Sequence, residues 1–343
     1  MNQRATIDDV AKLAGVSIAT VSRVISKSDR VRASTRTQVL QAIEDLHYQP
    51  DASARALASG RTYTVGCVIP TLDHSIFARA TQAMQTVLSD AGFQLLVGSS
   101  NYESNTELQV VRAFQQRGVD ALVLVGTDHA ASLWDAVTQW GKPVLLSWSS
   151  DPRLPSVGFD NVTIAKHMTE HLLSLGHERI AVVSGFTANN DRARSRIQGV
   201  RQALSAHGLR LPKELLIEQS YNLHGGRLAL QKLMQLDQPP TAIFCAMDLL
   251  AAGVLLEAQR LKIDVPHTLS VCGIDNHELA EVISPGLTTI SLPTTELGKI
   301  TAQRVLSALS GEVIPLQTIL PFELIVRGST AELGTSKRKR PKL

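Results

Sequence analysis

Residues 5–28, ATIDDVAKLAGVSIATVSRVISKS, constrain the fold more than any other stretch of this chain. Ile7, Val10, Ala11, Ala14, Val21 and Val24 recur at three- and four-residue steps, the spacing of one helical face. Thr6, with Asp9 three residues on, is suited to cap a first helix, and Ser17 to cap a second. Gly15 between them accommodates the backbone of a tight corner. So small a pair of helices leaves the second with an exposed face carrying Ser17, Thr20, Ser22 and Arg23. That arrangement predicts a helix-turn-helix, whose second helix lies in the major groove of DNA. The alternative is an ordinary helical hairpin at the edge of a larger domain. A third amphipathic segment over 34–46 would complete an all-α headpiece.

At 343 residues the chain is long enough for two or three globular units. Its charge is unevenly placed. Residues 1–61 carry +3, residues 337–343 carry +5, and the stretch between carries −5. A positive headpiece suits a polyanion, while an acidic bulk limits indiscriminate binding. Cys67, Cys245 and Cys272 are far apart, each within an apolar run, which points to buried reduced thiols rather than disulfides or zinc. No run approaches the roughly 18 apolar residues of a membrane span, and no basic-then-apolar leader opens the sequence. The expectation is a cytoplasmic protein, nucleoid-associated when bound to DNA.

Pro50 and Gly60 bracket a linker, 50–61, in which 53–58 could form one or two helical turns, too short to be stable alone. From Tyr63 onward short apolar runs alternate with amphipathic helical stretches. Strands are predicted at 64–70, 93–100, 120–126 and 142–148, and again at 179–185, 215–220, 241–246 and 269–275. Such alternation implies an α/β core of two parallel-sheet subdomains, with a ligand crevice outside the strand ends.

The headpiece IDDVAKLAGVSIATVSRVI, the linker YQPDASARALASG, and the core runs VGCVIP, LGHERIAVVSG, PTAIFCAMDLLAAG, LSVCGIDN and PGLTTI occur in one order. Together they resemble the LacI/GalR (lactose-repressor) family of bacterial regulators over residues 5 to about 330. The resemblance implies a periplasmic-binding-protein-like core, a homodimer, a small effector between the subdomains and a pseudo-palindromic operator. It divides the chain into a headpiece (1–49), hinge (50–61), core (62–330) and basic disordered tail (331–343). Within the core it implies an N-subdomain of about 62–159 with 292–319, and a C-subdomain of 160–291 with 320–330.

The resemblance also implies site residues. Thr6, Ile7, Ser17, Ile18, Ala19, Thr20, Ser22, Arg23 and Tyr48 would contact DNA, with Ala54 and Leu57 reaching the minor groove from the hinge. Short hydroxyls suit phosphate oxygens, Arg23 can reach a guanine edge, and Ile18 and Ala19 can touch a thymine methyl. Leu57 would wedge between base steps. Asp51, where the family often has Asn, would repel phosphate. Ser75, Phe77, Trp148, Arg196, Tyr221, Asp248 and Asp275 would line the effector crevice. Trp148 replaces a common Asp, and Asp248 either contacts ligand or caps its helix. Arg192, Arg194 and Arg196 lie close in sequence, and GFDN and LLEAQRLKIDVP are similar to gluconate-type repressors. If more than one of these arginines faces the cleft, an anionic effector is attractive; the alternative is a solvated basic helix start. The likeness to gluconate-type repressors favours a sugar acid over a neutral sugar.

An enzyme reading finds no phosphate-binding GxxxxGK[ST], HExxH, GxSxG or early GxGxxG run. His171 and His177 are six apart, a poor spacing for one metal. No cofactor and no catalytic residue is expected. The sequence predicts a repressor of a carbohydrate or sugar-acid operon.

Overall fold

The computed structural model describes residues 5–25, 31–49, 56 and 60–334. It divides into two compact units, one ending at Tyr63 and the other beginning at Thr64.

The first unit holds α1 (Ile7–Leu13), α2 (Ile18–Ile25) and α3 (Ala33–Asp45). The Thr6 and Asp9 side chains cap each other's backbone N–H groups, at 3.3 and 2.9 Å. Ser17 Oγ accepts from the N–H of Thr20 at 3.2 Å. Gly15 turns the corner at a φ of +64°. Val10, Ala11, Val21, Val24, Val39 and Ala42 form the buried centre, with Ile7, Ala14 and Tyr48 packed around it. The apolar periodicity read from the sequence is therefore the packing periodicity.

The second unit contains two six-stranded sheets, each wrapped by helices. The first uses β1 (Thr64–Ile69), β2 (Gln94–Ser99), β3 (Ala121–Val125), β4 (Val144–Trp148), β5 (Ser156–Gly158) and β11 (Gln317–Ile319), in the order β11-β5-β4-β3-β1-β2. All its pairings are parallel. The second uses β6 (Ile180–Ser184), β7 (Leu216–Glu218), β8 (Ala242–Cys245), β9 (Ser270–Ile274), β10 (Thr288–Ser291) and β12 (Glu323–Ile325), in the order β12-β10-β9-β8-β6-β7. Only β12 runs antiparallel. The strands β3, β4, β6, β8 and β9 are buried on both faces, which is why they read as unbroken apolar runs.

The helices that bear on the site are α4 (Ser75–Asp90), α5 (Ser104–Gln116), α6 (Ala131–Thr138), α7 (Asn161–Ser174), α8 (Asp191–Ala206), α9 (Leu223–Met234), α10 (Asp248–Arg260), α11 (Leu279–Val282) and α12 (Thr294–Leu309). The chain passes between the sheets three times: after β5, after β10 and after β11.

Several details depart from the sequence reading. The helix expected from Arg194 starts at Asp191, because Asn190 accepts from the N–H of Ala193 at 3.3 Å. Residues 331–333 are not part of a loose tail. The carbonyl of Ala331 accepts from His177 Nε2 at 3.1 Å, and the N–H of Leu333 donates to Leu175 O at 2.8 Å. Of the expected tail, residues 335–343 lie outside the described residues, as do Asp51, Ala54 and Leu57 of the hinge.

Candidate DNA interface and effector cleft

Ser17, just before α2, is exposed, as are Ala19, Ser22 and Arg23 on the helix, and Thr20 is half-buried. Ile18 is 46 % exposed, far too open for a core side chain. The headpiece thus presents a short hydroxyl, an aliphatic group and a guanidinium along one helix while its valines face inward. Thr6 is bonded to Asp9, Ile7 is half-buried, and Tyr48 leans on the headpiece core. Ser17 and Thr20 also share a hydroxyl–hydroxyl bond of 2.9 Å, which fixes both side chains at the start of α2.

In the second unit the cleft lies between the C-terminal ends of the two sheets. Trp148 closes β4 at a φ of +72°, and Asp275 follows β9 at a φ of +112°. Such a backbone costs a non-glycine residue about 1–3 kcal/mol and gathers at functional sites. A run of rings crosses the gap: Phe159 to Trp148 at 5.9 Å, Trp148 to Phe77 at 5.0 Å, Phe77 to His74 at 6.1 Å, and His74 to Tyr221 at 5.6 Å. The ring of Tyr221 lies over Gly185, where a Cβ would stand 2.0 Å from it. Ser75 is half-buried beside this run, on the first turn of α4.

The polar side of the cleft is built around Arg196. Its Nε donates to Asn161 Oδ1 at 3.0 Å and its Nη1 to the carbonyl of Ala246 at 2.6 Å. Asp275 is buried, and neither carboxylate oxygen has a hydrogen-bond partner. Burial pushes its carboxyl up to about 7, against the pull of Arg196 and Arg79. His74 Nδ1 and Ser184 Oγ are also buried without partners. Unmet groups of this kind are rare in native interiors and mark a place where a ligand or water completes the bonding.

Asp248 behaves otherwise. Met247 precedes α10 without any side-chain cap, so the capping expectation fails. The Asp248 carboxylate turns instead to the neighbouring strands, accepting from Thr289 Oγ1 at 2.6 Å and from the N–H of His277 at 2.7 Å. Each oxygen thus has one partner within the protein. Burial, then repulsion from Asp275, raises its pKa well above its ordinary value.

The three arginines are not gathered on one face. Arg192 pairs with Asp191 at 2.8 Å and bonds Tyr102. Arg194 pairs with Asp128 at 2.6 Å and donates to Thr187 O. Each guanidinium already has its own acceptors. Two of these pairings span the subdomains, as do Arg79–Glu278 at 2.9 Å and Asn189 Nδ2 to Tyr102 O at 3.0 Å. Burial drives the Asp191 carboxyl up, but Arg192, Ser149 and Thr127 outweigh it and hold the group below its ordinary value. His74, Arg79 and Tyr102 were not singled out in the sequence, and Phe159 and Asn161 entered only within the GFDN run, because none of them is marked as a site residue by local pattern. Only the strand order brings them together.

His177, buried just beyond α7, bonds to Thr241, Ser270 and Ala331. Among the described residues no cluster of His, Cys, Asp or Glu could hold a metal, and no helix is long and apolar enough to cross a membrane. All three cysteines are free and buried, and burial pushes the Cys67 thiol up to about 12.

Residues 6–51 match the model for bacterial regulatory proteins of the lacI family, and residues 169–330 match a periplasmic binding protein-like domain. The HTH-type transcriptional regulator DegA of Bacillus subtilis (strain 168) is 33 % identical over 97 % of this chain and 100 % of its own. The chain belongs to the LacI family. Catabolite control protein A of Priestia megaterium is 31 % identical over 95 % of this LacI-family chain and 99 % of its own length. Among solved structures, the lac repressor dimer bound to operator and the anti-inducer ONPF superposes with a TM-score of 0.86. It is 25 % identical and covers 96 % of this chain and 100 % of its own. The chain is therefore a DNA-binding transcriptional regulator and not an enzyme.

Proposed function

We propose that this LacI-family regulator is a homodimeric repressor of a carbohydrate catabolic operon, released from or recruited to its operator by an effector bound between the two sheets. Asp275 carries this reading: a buried carboxylate with both oxygens unmet, at a strand end beside Arg196 and a row of aromatic rings. Two adjacent hydroxyls of a ring would satisfy it, and Phe77 and Tyr221 would flank the ring's apolar face. Because every neighbouring arginine already has acceptors, the charges favour a neutral sugar over the sugar acid expected from the sequence.

The headpiece reading gives Ser17, Thr20 and Ser22 phosphate contacts that set register, and Arg23, Ile18 and Ala19 contacts to base edges. Thr6, Ile7 and Tyr48 would support this helix from beside the backbone, with Ala54 and Leu57 in the adjoining minor groove. A two-fold dimer would present two such helices to a pseudo-palindrome. Exposed Leu72, Val97, Leu223, Leu256 and Val282 on the core, together with the open edge of β2, support a second copy of the chain as the partner. The site of action would be the cytoplasm.

Two measurements test this. Thermal-shift screening of neutral sugars against sugar acids is expected to find stabilisation by neutral members, and stabilisation by acids alone overturns the effector reading. Mobility shift on the protein's own promoter fragment in dilute buffer is expected to show a dimer bound. A monomer indifferent to that fragment overturns the rest.

A further inference from the structure

A cavity of about 270 Å³ opens beside the crossovers of the core; Asp275 and Tyr221 are not among its walls, while Phe159 and Asn161 are shared with the cleft. Its walls include Thr127, Ser149 and Ser150 from the first sheet's loops, Asn161 and Ser195 from α7 and α8, and Gln317 from β11. We propose that this groove is a second small-molecule site, for a neutral polyhydroxylated compound of monosaccharide size, whose occupancy is felt in the effector cleft.

The chemistry of the lining argues for a neutral polyol. Charge at the groove is already spent. Asp160 accepts from the N–H groups of Val162 and Thr163 and from the Thr163 hydroxyl, and Asp191 is paired with Arg192. An anion would meet these two carboxylates, and their negative charge is already met by donors within the chain. What remains are hydroxyls and an amide at a half-open surface: Ser150 with Gln317 at 2.5 Å, and the half-buried Ser195. Phe159 and Ile319 supply apolar surface between them. Hydroxyl and amide groups arranged around a small apolar patch match a sugar or polyol, which offers both edges and C–H faces.

Position gives the groove its consequence. It is lined from both subdomains, beside two of the three crossings, so an occupant touches both halves at their hinge. Two of its walls are also bonded to cleft arginines. Asn161 Oδ1 accepts from Arg196 Nε, and Asp191 accepts from Arg192 while bonding Ser149 and Thr127. A ligand that restrains Asn161 or Asp191 therefore biases the arms that face the effector.

Titration calorimetry on the full chain tests the proposal, with D-glucose, D-ribose and glycerol as neutral probes and D-gluconate as the charged comparator. In an Asp275→Asn background, at least one neutral probe is expected to bind. Ser195→Trp, which fills the groove from α8, is expected to weaken that binding about tenfold or more. Ser150→Trp fills it from the opposite wall and decides the matter if the α8 variant misfolds. Absence of neutral-probe binding in the Asp275→Asn protein, binding indifferent to folded groove variants, or equal binding of gluconate each overturns the assignment.

Discussion

Asp275→Asn is expected to stabilise the protein while removing its response to effector. The carboxyl is held at about 7 in the folded chain against an ordinary value of 3.8. A raised carboxylate pKa means that the folded state holds its proton longer than the unfolded state does. Its contribution is therefore intact below pH 3.8 and is lost progressively as pH rises to about 7. At about 1.4 kcal/mol per pH unit, the full loss is about 4 kcal/mol, reached near pH 8. At about pH 5 less than half of it has accrued. Asparagine keeps the size and the unmet hydrogen bonds but never ionises, so it escapes only the pH-dependent part. Urea unfolding of wild type and variant at both pH values is expected to show an advantage of the variant that grows by about 2–3 kcal/mol from pH 5 to pH 8. The sugar that most stabilises wild type is expected to leave the variant's operator affinity unchanged. An advantage that stays flat with pH, or a variant that still answers the sugar, refutes the argument that this carboxylate is buried for a ligand.

Further outcomes concern the headpiece and the clasp between the subdomains. Arg23→Ala is expected to weaken operator binding by about 1–3 kcal/mol and to relax discrimination at one base pair, read by titrating operators mutated singly. Gly126 has a φ of +87°, and a Cβ there would stand 2.1 Å from Arg192 Nη1. Gly126→Ala is therefore expected to cost about 1–3 kcal/mol in urea unfolding, largely by pushing Arg192 off Asp191. Burial lowers the His177 pKa, so its contribution is present above about 6.5 and fades as pH falls. Wild type is expected to lose midpoint stability on acidification through that range by more than His177→Gln does. Thr6→Ala removes the α1 capping box and is expected to lower headpiece melting by about 1 kcal/mol, followed by circular dichroism.

Local chemistry made much of this protein legible without coordinates. Valines at helical spacing, a threonine with an acid three residues on and a glycine at the corner each have one economical arrangement, and α1 and α2 adopt it. The parallel strands were equally readable, because a strand buried on both faces has to be apolar throughout. Strand order and side-chain partners were another matter. Nothing in the sequence around Asp248 distinguishes a helix cap from a carboxylate turned toward Thr289, since that contact joins residues 41 apart. Sequence spacing left open whether the three arginines on α8 share a face, and their partners Asp191, Asp128 and Asn161 divide them. Asp275 was recognisable as a strand-end acid. That its oxygens stay unmet depends on Arg196 being drawn aside to Asn161 and Ala246, which is settled by long-range packing. Periodicity encodes which face of an element is buried, and only the assembled sheets decide what that face, and each charge beside it, finally meets.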